Sequence, residues 1–171
     1  MKMGNGMKSA LLKLILVAAA LAVAGCGDQS QKDAANYKEG IDAYTKGNYA
    51  VALEKLKPVA EHGNAQAQFA LGMIYHNGQG VTQSDKEAGV WWNKAAEQGQ
   101  VEAQEHLGLS YAKGQGAVQD WVQADKWFTI AAASGKETAV NNQKIVEVHM
   151  QPEKIAEAKA LAQEWLAKHK K

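Results

Sequence analysis

Arginine is absent from this chain of 171 residues, and lysine supplies all nineteen strong bases. The bidentate reading of phosphates and guanines that arginine performs is therefore unavailable, which argues against a nucleic-acid partner. Only one cysteine is present, so no internal disulfide forms. Proline occurs twice and phenylalanine twice, and no run of β-branched residues reads as a strand. What remains is alanine-rich, close to neutral at a formal +1, and suited to an all-helical fold of one domain.

The amino-terminal segment reads differently from the rest. Lys2, Lys8 and Lys13 precede an apolar stretch from Leu14 to Ala24 that ends in small residues, the pattern of a secretory signal. The stretch is roughly half the ~20 residues a bilayer-spanning helix needs. Leu21-Ala22-Val23-Ala24-Gly25-Cys26 resembles the lipobox of bacterial lipoproteins, although valine stands where leucine is commoner. That resemblance implies a signal peptide over 1–25 and acyl chains on Cys26. Each buried methylene contributes ~0.8 kcal/mol, so two or more chains anchor stably. No other cofactor is expected. Either Met1 or Met7 serves as a start, since the part after Met7 is already a complete signal. Gly27 after the cysteine leans towards the outer membrane facing the periplasm, with Asp28 leaving the inner membrane open. Residues 26–34 read as a lipidated flexible tether. Losing three lysines with the signal takes the formal charge from +1 to −2.

Beyond the tether the chain repeats itself. Residues 64–99 and 100–135 align without a gap, and fourteen of the thirty-six positions are identical. Ala67, Gln68, Leu71, Gly72 and Tyr75 recur as Ala103, Gln104, Leu107, Gly108 and Tyr111; Ala88, Trp91, Ala95, Ala96 and Gly99 recur as Ala124, Trp127, Ala131, Ala132 and Gly135. The spacing predicts two amphipathic helices per unit. Ser84 with Glu87, and Asp120 with Gln123, read as capping boxes for the second helix, each cap worth ~1 kcal/mol. Gly99 and Gly135 fall where a left-handed helix stop belongs. A shorter unit, residues 35–63, precedes them, with Asn48, Ala52, Ala60 and Gly63 one period before Ser84, Ala88, Ala96 and Gly99. Pro58 inside its second helix predicts a kink or local distortion. Residues 136–171 read as helices capping the stack, one over 137–149 and one opened by Pro152 with Ile155, Ala158, Ala162 and Trp165 as its apolar stripe.

The pattern Ala-x-x-x-Leu-Gly-x-x-Tyr-x-x-Gly-x-Gly, then Ala-x-x-Trp-x-x-x-Ala-Ala-x-x-Gly, resembles the Sel-one-like repeat, a relative of the tetratricopeptide repeat. The resemblance implies a short right-handed α-solenoid of helix-turn-helix repeats, whose concave groove is lined by the first helix of each pair. It places Phe69, Met73, His76 and Asn77 in that groove, with Glu102, Glu105, Leu109 and Lys113 in the next unit and Lys38, Asp42, Thr45 and Lys46 in the short one. A peptide or helix of an unidentified envelope protein is the partner such a groove would take.

Reactive constellations are not evident. Gly78-Gln79-Gly80 and Gly114-Gln115-Gly116 follow no strand and recur at the repeat period, so they read as turn glycines. Gly108-Leu109-Ser110 begins like a nucleophile elbow, but Ala112 stands where its second glycine belongs. His62, His76, His106, His149 and His169 lack ligand spacing, and no metal site is expected. Trp91 and Trp127 recur with the core alanines and read as packing, whereas Trp92 and Trp121 are expected to be partly exposed. The sequence thus points to an envelope-anchored interaction scaffold, with no catalytic residue and no small-molecule substrate. Two alternatives compete. One is an envelope hydrolase acting on peptidoglycan or β-lactams, although the members linked to that chemistry resemble chains with paired cysteines, absent here. The other is a cytoplasmic scaffold without a processed amino terminus.

Overall fold

The computed structural model describes residues 27–169; the signal segment, Cys26 and the last two lysines lie outside the described residues. Eight helices and no strand are found among them. Helix α1 covers 27–45, followed by α2 (Tyr49–Glu61), α3 (Ala65–Asn77), α4 (Asp85–Glu97), α5 (Val101–Lys113), α6 (Trp121–Ala133), α7 (Glu137–Glu147) and α8 (Pro152–Lys168). Each helix from α2 to α6 is thirteen residues long, so successive pairs stack in the same register. The chain is an α-solenoid of helical repeats. No described helix is long and apolar enough to cross a membrane.

Polar residues at the helix starts set the boundaries. Asn48, Asn64, Ser84, Gln100 and Asp120 each accept a hydrogen bond from the amide three residues on, satisfying a donor that the helix itself leaves unpaired. Gly99 and Gly135 both take φ +86°, the left-handed conformation that ends the second helix of each unit. Pro58 sits in the last turns of α2, and the helix continues through it to Glu61. Helix α7 ends at Glu147, two residues before the expected limit. His149 N donates to Val146 O and Met150 N to Glu147 O, a tighter turn that leads into the extended Gln151 required before proline.

The segment expected as a flexible tether is corrected by the structure from residue 27 onward, because it continues α1 as helix. Asp33 holds it down: its carboxylate oxygens lie 3.0 and 2.9 Å from His62 Nδ1 at the end of α2, and Gln29 Nε2 donates to it over 2.9 Å. Desolvation pushes the Asp33 carboxyl up, but the hydrogen bonds from Gln29 and His62 win and hold it below its ordinary value.

Three overlapping apolar clusters form a continuous seam. The first joins α1, α2 and α3 through Ala43, Ala52, Leu56 and Leu71, with Trp91 reaching in from α4. The second joins α4, α5 and α6 through Trp92, Ala95, Leu107, Trp127 and Ile130. The third joins α6 and α7 through Phe128, Ala139 and Val146. Alanines let the helices approach closely while the aromatic side chains fill the remaining space. Helix α8 lies back on α6. Ala158 and Ala162 are fully buried there, the Trp165 and Trp127 rings meet edge-on at 6.0 Å, and Trp165 Nε1 donates to Glu97 Oε2 over 2.8 Å.

A second seam is polar. Gln68 Nε2 donates to Ala60 O over 2.9 Å, and Gln104 Nε2 to Ala96 O over 3.2 Å. Each buried glutamine thus reaches back across a repeat boundary to satisfy a carbonyl in the last turn of the preceding helix.

Candidate interaction groove

The first helices carry one continuous mixed surface. Phe69 on α3 is half-buried and its ring lies 5.6 Å from that of His106 on α5. His106 lies 4.7 Å from the Trp92 indole of α4, and His76 of α3 meets the same indole at 5.3 Å. Asp85, the first residue of α4, fixes His76: its Oδ1 lies 2.6 Å from Nδ1. Met73 is half-buried beside this cluster. Burial lowers the His106 imidazole, His76 and Lys136 add to that, and Glu105 and Glu102 oppose it.

The next helix extends the surface. Glu105 of α5 is half-buried, 3.5 Å from Lys136 Nζ at the start of α7, and accepts from Asn142 Nδ2 at 3.4 Å. Glu102 is exposed, 3.7 Å from the same lysine. Leu109 and Lys113 line two neighbouring hollows. One, of about 170 Å³, lies against His76, Asp85, Trp92 and His106. The other, of about 260 Å³, is floored by Phe128 and Val146 and walled by Trp121, Ile145 and His149. Trp121 and His149 stack at 4.8 Å, and Ile145 is 61% exposed.

The expected groove residues are thus placed unevenly. Phe69, Met73, His76, Glu105 and Leu109 are half-buried along a line across α3 and α5, while Asn77, Glu102 and Lys113 are exposed at its edges. Lys38, Asp42 and Thr45 on α1 and Lys46 just past its end are exposed; Lys46 pairs with Asp42 at 2.7 Å and Thr45 Oγ1 donates to Asp42 O, so the last three are satisfied locally. Sequence reasoning gave Trp92 only as a partly exposed residue outside the repeat pattern, and missed His106, Asn142 and Ile145. A signal for Trp92 existed: Trp92 and Phe128 are both aromatic and one period apart.

Trp92 also requires a correction. Expected as partly exposed, it is 2% exposed. A Cβ built on Gly72 would lie 2.2 Å from its Nε1, just as one on Gly108 would lie 2.6 Å from Phe128 and one on Gly40 2.6 Å from Leu56. The glycine of the Leu-Gly-x-x-Tyr motif is the slot into which the second helix inserts a large side chain. Trp121 is half-buried against His149.

Ser110 lines the same hollow as His76 and Asp85, but it is buried and makes no hydrogen bond to His76 among the described residues. It occupies the packing position that Ile74 fills one period earlier.

The arrangement matches known proteins. The Sel1 repeat model matches residues 65–100 and 101–136. A Sel1 repeat protein from Oxalobacter formigenes superposes with a TM-score of 0.62 at 32% identity, over 73% of this chain and 97% of that one. This chain belongs to the Sel1 repeat family. A protective antigen present in uropathogenic Escherichia coli strains, displaying an SLR fold, superposes with a TM-score of 0.75 at 30% identity, over 80% of this chain. The chain spans only 30% of the length of that antigen. No curated protein matches the chain. Sel1 repeat proteins are generally protein-interaction scaffolds.

Proposed function

We propose that this Sel1 repeat protein is an envelope-anchored adaptor that holds a peptide or helix of another protein against α3, α5 and α7. The observation that carries this reading is the unbroken surface from Phe69 and Met73 through His106 and Leu109 to Ile145, apolar in the middle and edged by Lys113, Glu102 and Asn77. Apolar anchors with a polar rim are the usual anatomy of a protein interface. In this reading Cys26 carries the acyl chains, and a partner in the periplasm meets the solenoid close to the membrane. The outer membrane is the favoured location.

Two measurements test the proposal. Crosslinking pull-downs from detergent-solubilised envelopes compare the native chain with a Phe69→Glu, Met73→Glu variant whose helicity is verified by circular dichroism. Loss of the same partner from the variant supports the groove; an unchanged partner set overturns it. Acyl labelling of the native chain but not of Cys26→Ala supports the anchor, and equal labelling or none removes it.

A further inference from the structure

Asp125 is the most anomalous side chain among the described residues. It is 0% exposed, it lies in the middle of α6, and neither carboxylate oxygen accepts a hydrogen bond. The repeat does not require it. One period earlier stands Gly89, where an added Cβ would meet nothing closer than 3.9 Å. Asp125 belongs to the junction where α7 and α8 both pack on α6.

The charges acting on it come from those two helices. Glu147, at the end of α7, repels it, and Lys159 of α8 attracts it; α4 and α5, the other neighbours of α6, supply none. Lys159 Nζ is already committed, 2.8 Å from Glu147 Oε1. Gln143 of α7 gives one amide hydrogen to Thr129 Oγ1 over 2.7 Å; its other lies near enough to favour the charged form of Asp125 but short of a formed hydrogen bond, and it brings no charge. The junction therefore holds two carboxylates and one cation, and it is one positive charge short. A buried carboxylate left without a partner or hydrogen bond is costly, and a proton is the simplest remedy.

We propose that Asp125, Glu147 and Lys159 form a proton-operated latch, in which Asp125 binds a proton when α7 and α8 are seated on α6 and releases it when they lift away. Burial first, and the Glu147 carboxylate second, push the seated Asp125 up to about 6 from an ordinary 3.8. A raised acid binds more protons seated than free, so seating weakens as pH rises. The weakening begins near 3.8 and is complete a little above 6. The latch is tight in acid and slack at neutral pH. Because Glu105 and Ile145 join α5 and α7 into one surface, seating also sets the carboxyl-terminal end of the groove.

Hydrogen exchange on the full chain, corrected for intrinsic rates, tests the latch. Between pH 4.5 and 7.5 the protection of α8 amides falls by about 25-fold, because a rise from 3.8 to about 6 changes the seating equilibrium by about two decades in all and the rest of that change lies below pH 4.5. Helix α2, at the far end of the stack, changes far less. Asp125→Asn makes α8 protection flat with pH and exceeds the native chain at pH 7.5. Glu147→Gln, which leaves Lys159 free for Asp125, reduces the fall. Native α8 protection that does not vary with pH overturns the proposal, as does an unchanged fall in either variant. If Asp125→Asn does not fold, Glu147→Gln decides alone.

Discussion

The Trp92 indole occupies the space that any side chain on Gly72 would need, with 2.2 Å between its Nε1 and a Cβ built there. Helix α3 and helix α4 therefore meet through the absence of an atom. Gly72→Ala gains helix propensity on paper, since alanine is the better helix former by ~1 kcal/mol. The clash outweighs it. The net expectation is a loss of about 1 to 3 kcal/mol, typical of overpacking a filled core, measured by urea unfolding. Combining it with Trp92→Ala should cost less than the sum of the single changes, because the two residues share one volume.

The glutamine seam contains an uneven link. Gln68 Oε1 accepts from Gln98 Nε2 over 2.7 Å, whereas the corresponding Gln104 Oε1 is buried and unpaired. The difference is one residue: Ser134 stands where Gln98 stands, on nearly the same backbone (φ −88°, ψ 8° against φ −91°, ψ 3°). A hollow of about 280 Å³ beside Gln104 and Ser134 leaves room for a longer side chain. Ser134→Gln is expected to raise stability by about 1 kcal/mol through the restored hydrogen bond, seen as a higher urea midpoint with an unchanged slope.

The tryptophans separate into packing and surface roles. Trp127 is 1% exposed in the α4–α6 cluster, so Trp127→Ala should cost about 3 to 5 kcal/mol. Trp121 stacks on His149 at the mouth of the apolar hollow. Trp121→Ala should cost much less stability and, under the adaptor reading, weaken partner capture. A stability loss equal to that of Trp127→Ala would assign Trp121 to the core instead.

His106 gives the groove a pH dependence opposite in sign to that of Asp125. Burial lowers its imidazole below 6.5, so the unfolded chain takes up a proton that the folded chain refuses. Folding stability contributed by this residue therefore rises with pH through the region just below 6.5 and is lost in acid. His106→Gln should remove that slope from the urea midpoint between pH 7.5 and 5.5. If the slope is identical in both proteins, His106 does not titrate between the two states.

Much of the fold was legible because repetition is redundant. Asn48, Ser84 and Asp120 mark helix starts, and Gly99 and Gly135 mark ends, whichever partner the helices later find. The site was less legible, since what matters there is what differs between repeats. His106 replaces Ala70, Asp125 replaces Gly89 and Ser134 replaces Gln98; a comparison of identities passes over all three. Residues 27–34 are not legible either, because a polar composition describes a tether and an exposed helix equally well. Only the pairing of Asp33 with His62, twenty-nine positions away, decides between them.

In a stack of helix pairs, each unit touches only its neighbours, and such arrays fray one unit at a time from their ends. The hydrogen bond from Trp165 to Glu97 breaks that economy by tying the last helix to the middle of the chain across sixty-eight positions. Peeling away the carboxyl-terminal helix thus disturbs the central repeat as well. The short array is driven towards melting as a whole, and a calorimeter should record a single transition.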